Sequence, residues 1–125
     1  RPIGAPEPEP AFDAIFGPVR ARAATSAEVD GTARDEARIA VVAEAVRVIA
    51  AIIGETAAHE LGHSFGLAEP YGSPTVFHSL FPDEGCLMDE GAERPFAERA
   101  ELPGAPETRF CADEPAYLAS ILGGV

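Results

Sequence analysis

Apolar residues are most densely patterned in "ARDEARIAVVAEAVRVIAAIIG", ending at Gly54. Ile39, Val42, Val46, Ile49 and Ile53 fall at helical spacing, and Val41, Ala45, Val48 and Ile52 make an adjacent row. Alanines fill the gaps, and Asp35 and Glu36 suit a helix start. The pattern predicts a helix over about residues 34–53, with apolar rows wide enough for it to be largely buried. Gly54 predicts a break or bend. A second helix, "ETAAHELGHSFG", then ends at Gly66 as a C-terminal glycine. Near the C-terminus, "DEPAYLASIL" offers Asp113 as a cap, Pro115 in the first turn and an apolar stripe of Tyr117, Leu118, Ile121 and Leu122.

Elsewhere the pattern is weaker. Residues 1–10 hold four prolines without periodicity and read as an extended arm or linker. "AFDAIFGPVRARAA" reads as one or two short strands broken at Gly17–Pro18, and "TSAEVDGT" as a loop. Residues 67–112 are rich in Gly, Pro, Asp and Glu and read as irregular loop, pinned by Phe77, Phe81, Phe96 and Phe110. The fold class is therefore mainly α with irregular loops and at most a small N-terminal sheet. The 125 residues, 46% of them hydrophobic, suit a single compact domain with one modest core. The chain opens on Arg1 with no visible signal peptide, so it reads as a processed or trimmed piece of a longer precursor.

A formal net charge of −12 argues against nucleic acid as a partner. No apolar run reaches the ~20 residues of a membrane span. The sequence fixes no oligomeric state, and a monomer is compatible with it. The two cysteines, Cys86 and Cys111, lie in loop sequence without CxxC spacing. A disulfide between them, the favoured reading over free thiols, implies a secreted or extracytoplasmic protein.

The chemistry concentrates in "HELGHSFGLAE", residues 59–69. Helical residues i and i+4 lie about 40° apart around the axis and roughly one turn apart along it. His59 and His63 can therefore aim two imidazoles at one zinc ion, a metal that favours such donors. Glu60 lies beside the pair, placed as general base toward a water. A catalytic zinc takes three protein ligands and keeps one position open. Gly66 can take a positive φ and turn the chain back, which returns Glu69 to the metal. His78, the only other histidine, is the alternative third ligand, with Glu69 then accepting from an imidazole N–H. Lesser candidates are Tyr71 and Tyr117 as oxyanion donors, Asp89 as a turn-holding acceptor, and Arg94 and Arg99 as surface ion-pair residues or carboxylate binders.

"HELGHSFGLAE" resembles the metzincin signature HExxHxxGxx(H/D), with Glu69 at the last place, and "CLMD" resembles that clan's Met-turn. The resemblance covers about residues 55–125. It implies a secreted zinc endopeptidase with an active-site helix, a Met-turn and a C-terminal helix; the apolar pattern adds a buried backing helix over about 34–53, where that clan usually has a strand. His59 and His63 would be ligands, Glu60 the general base and Met88 the Met-turn residue, with a peptide or protein as substrate. The competing readings are a zinc-stabilised interaction or regulatory module without turnover, and a helical domain without metal.

Overall fold

Residues 9–67, 78, 84–90 and 94–123 are described by a computed structural model. Five helices follow in order, and no strand occurs among the described residues: α1 (Pro10–Ala21), α2 (Ser26–Val29), α3 (Glu36–Ser64), α4 (Phe96–Arg99) and α5 (Glu114–Ile121). The fold is mainly α. No helix among the described residues is long and apolar enough to cross a membrane. Two compact units divide the chain, residues 1–49 and 50–125.

In the first unit, α1 replaces the expected short strands. Phe12, Ile15, Phe16 and Val19 step as i, i+3, i+4 and i+7, a helical period that outweighs the Gly17–Pro18 interruption. Glu9 caps α1 by accepting from the Ala11 N–H at 3.3 Å, and Pro10 occupies the first turn, where its missing N–H costs nothing. Phe16 is buried against Phe12, ring centroids 4.7 Å apart. The segment read as a loop contains α2. Its start is a capping box: Thr25 Oγ1 accepts from the Glu28 N–H at 3.3 Å, and Glu28 Oε2 accepts from the Thr25 N–H at 3.0 Å.

Glu28 also accepts from Arg22 Nη2 at 2.6 Å and lies 3.5 Å from Arg38 Nε. These partners, the Thr25 N–H first and Arg22 next, hold its carboxyl down at about 2. Arg38 further donates to the carbonyls of Pro18 and Arg22, at 3.1 and 2.6 Å. The backing helix is less covered than its apolar rows predict. Val42, Ala45 and Val48 are buried, whereas Val46 and Ile49 are exposed. The buried strip takes Val42 from one row and Ala45 and Val48 from the other, so burial cuts across both rows and leaves the rest of each half-buried or exposed.

In the second unit, α3 runs through Gly54 without a break. A glycine inside a helix costs only ~1 kcal/mol relative to alanine, and the good helix formers around it carry the ladder across. The helix ends as expected at Gly66, with φ 91°. The Leu67 N–H donates back to the Gly62 carbonyl at 3.0 Å and the Gly66 N–H to the His63 carbonyl at 2.9 Å, the paired bonds of a Schellman ending. Leu67 is buried by that turn, while Ile53, Leu61 and Phe65 are exposed.

The described segments after α3 are tied by cross-links. Cys86 and Cys111 form a disulfide. Cys86 also makes a parallel bridge with Arg109. Arg94, expected at the surface, is buried between Glu55 and Glu98, and Glu98 also accepts from the Gly85 N–H at 3.0 Å. Burial alone would weaken the Arg94 charge, but its bonds to the two carboxylates reverse the effect and raise its pKa. Among the unit's described residues, Leu67, Cys86, Leu87, Met88 and Ala100 are buried apolar ones; Phe96 and Phe110 are only half-buried, and Phe77 and Phe81 lie outside the described residues. Helix α5 forms where its pattern places it. Asp113 makes no side-chain cap bond; the buried Glu114 accepts from the Cys111 N–H at 2.6 Å.

Candidate metal centre

All three histidines of the chain meet at one place in the second unit. His59 and His63 come from the last two turns of α3, four residues apart on one face. Their rings stand nearly perpendicular, centroids 4.6 Å apart. The His78 ring lies 5.2 Å from that of His59 and 5.1 Å from that of His63. One nitrogen from each ring falls within 4.8 Å of the other two.

Backbone acceptors fix how the helical pair is used. His59 Nδ1 lies 2.6 Å from the Leu87 carbonyl, and His63 Nδ1 lies 3.1 Å from the Leu67 carbonyl. A carbonyl only accepts, so each Nδ1 must carry the proton. In the neutral rings both Nε2 atoms are then bare, and they face each other at 3.0 Å. Two lone pairs at that distance repel unless a cation or a proton lies between them. Tetrahedral zinc with bonds of ~2.0–2.1 Å sets its ligand atoms about 3.3 Å apart. The helical pair would need only a small opening to reach that separation, and the three rings together could hold one metal ion.

Burial pushes the His59 pKa down. The Leu87 carbonyl opposes the shift, the His63 and His78 charges add to it, and Glu60 works against it. The net direction favours neutral imidazole, the form that binds metal.

Met88 is buried, with its sulfur over Gly62. A Cβ added at Gly62 would meet Met88 Sδ at 2.5 Å, so the Met88 side chain packs directly on the glycine and would have to shift for any larger residue there. Glu60 is exposed beside His59. Cys86 directly precedes Leu87, whose carbonyl anchors His59. Asp89 is buried. Tyr117 donates to the Phe65 carbonyl at 3.0 Å, which engages its hydroxyl at the helix end. Arg99 donates to Thr56 at 2.9 Å. Glu69 and Tyr71 lie outside the described residues.

The sequence pattern gave no sign of the two carbonyl anchors. They belong to leucine main chains, which carry no residue signature; the one cue is that Leu67 directly follows the Gly66 turn. No protein-family model, curated protein or solved structure matches the chain.

Proposed function

We propose that His59, His63 and His78 hold one zinc ion and that the chain is an extracytoplasmic zinc endopeptidase of metzincin type. The observation that carries this reading is the pair of bare Nε2 atoms 3.0 Å apart, each ring oriented through its Nδ1 by a main-chain carbonyl. When bound, zinc would supply a charge that polarises a carbonyl and lowers the pKa of a coordinated water toward ~7. Glu60, exposed beside His59, takes the proton of the attacking water and passes it to the leaving amine. The positive φ of Gly66 and the burial of Met88 over Gly62 also support the metzincin resemblance. The disulfide supports an extracytoplasmic location.

The test joins elemental analysis to a peptide-library cleavage assay. Purified protein holds about one equivalent of zinc, and His63→Ala loses it. Glu60→Ala keeps the zinc and loses hydrolysis. Zinc without cleavage in the parent chain would favour a non-catalytic zinc module, and absence of metal would defeat both. His78→Ala weakens zinc strongly and Glu69→Ala only by the roughly 10–100-fold typical of an outer hydrogen-bond partner; the reverse order would make Glu69 the ligand.

A further inference from the structure

We propose that the Cys86–Cys111 disulfide is the positioning element for His59, so that its reduction by a dithiol frees the His59 ring and weakens the metal site. The metal half of this inference rests on the function proposed above.

The two helical histidines are anchored by different means. The His63 acceptor, the Leu67 carbonyl, is held locally: the Leu67 N–H returns to Gly62 at 3.0 Å within the ending of α3 itself. The His59 acceptor, the Leu87 carbonyl, belongs to a segment 28 residues further along the chain. Residues 84–90 form no helix, so their place depends on cross-links. Beside Leu87, the Leu87 N–H donates to the Arg109 carbonyl at 2.9 Å, and the Arg109 N–H donates to the Gly85 carbonyl at 2.8 Å. The disulfide covalently closes this short ladder at Cys86, one residue before the anchoring carbonyl. Without it, hydrogen bonds hold the strip, each worth only ~1 kcal/mol net, or somewhat more where a charged group takes part. On the side of residue 109 they are the two main-chain bonds and the Arg109 Nη1 bond to the Glu84 carbonyl at 3.2 Å; on the side of α4 it is the Gly85 N–H bond to Glu98.

The chemistry balances. A dithiol thiolate attacks the disulfide, and the mixed disulfide resolves when the second thiol closes on the first. Two electrons and two protons pass to Cys86 and Cys111, leaving two thiols, and the dithiol ends as its own disulfide. Cys86 is buried and Cys111 half-buried, so Cys111 is the accessible sulfur.

The experiment reads the imidazole nitrogens of metal-free, ¹⁵N-labelled chain by NMR, before and after treatment with a dithiol, with far-UV circular dichroism on the same samples. In the oxidised chain both His59 and His63 show the Nδ1–H tautomer. Reduction leaves His63 unchanged, sends His59 into exchange between tautomers, and leaves the helical signal intact. Because dithiols themselves bind zinc, affinity is compared between the parent and Cys86→Ser/Cys111→Ser by competition with a chromophoric chelator; the variant binds roughly 10–100-fold more weakly. An unchanged His59 tautomer, or equal zinc affinity, overturns the proposal. So does joint loss of both tautomers and of helix, which would make the disulfide a general staple. Oxidised protein that takes up no zinc overturns the metal half together with the proposed function, while the NMR comparison still decides the positioning.

Discussion

Among the described residues each unit of the chain holds a three-membered charge cluster, and the two are near mirror images in charge. In the first, one carboxylate, Glu28, sits between two guanidiniums, Arg22 and Arg38. In the second, one guanidinium, Arg94, sits between two carboxylates, Glu55 and Glu98. Their surroundings differ. In the first, Arg22 reaches water with its side chain 57% exposed, although Arg38 and Glu28 retain only 10% and 8%; in the second, Arg94, Glu55 and Glu98 all lie at 3%, 7% and 5%. A pair with one partner in water is screened and weak. A cluster withdrawn from water depends on every member, because loss of one strands the others. The first cluster reinforces a turn already made by a capping box. The second fastens α3 to the segment carrying α4, where no strand occurs among the described residues.

The largest effect is expected from breaking the buried cluster. Arg94→Ala should destabilise the chain by about 3–5 kcal/mol, since it leaves two buried carboxylates facing each other. Denaturant unfolding measures it, and a loss below ~1 kcal/mol would show that water reaches the cluster. Arg94→Lys should recover only part, because an ammonium lacks the planar fork that reaches both acids. A sharper version replaces Arg94, Glu55 and Glu98 together by apolar residues of similar volume. That variant should lie within a few kcal/mol of the parent and above Arg94→Ala, since no charge is then stranded.

The smallest effect belongs to Glu28 and is read through pH. Its carboxyl titrates at about 2 against an ordinary value of 4.5. A lowered folded pKa contributes stability fully present above the ordinary value and lost as pH falls toward the folded one. The stability difference between parent and Glu28→Gln should therefore be constant near neutrality and shrink from about pH 5 down to about pH 2. A difference independent of pH would assign the cluster's effect to the capping hydrogen bonds and not to charge.

The same contrast explains how much could be read beforehand. Features written in local spacing were legible: the rows of α3, the His59–Glu60–His63 motif, the Gly66 turn and α5; the disulfide was legible for another reason, because a chain with two cysteines offers a single pairing. The capping box at Thr25 and Glu28 was equally local, since threonine followed three residues later by glutamate is its signature; the short "TSAEVDGT" passed for loop because glycine and aspartate follow. Phe12 to Val19 fit two periods at once, and the Gly–Pro pair drew the reading toward strand. The inward turn of Arg94 was not legible, because its partner Glu55 lies 39 residues away. The convergence of His78 is of the same kind: a lone histidine in irregular sequence carries no period, and spacing put Glu69 ahead of it.

The anchoring of both helical imidazoles on peptide oxygens has a consequence for how this chain tolerates change. A point substitution alters a side chain and leaves the carbonyl of its residue in place. Leu67 and Leu87 can therefore be exchanged for other apolar residues of similar bulk while His59 and His63 keep their acceptors. An alanine scan would score both leucines by the packing they lose and would miss their part in orienting the rings. Replacing the amide oxygen itself, by a thioamide at either position, isolates that part.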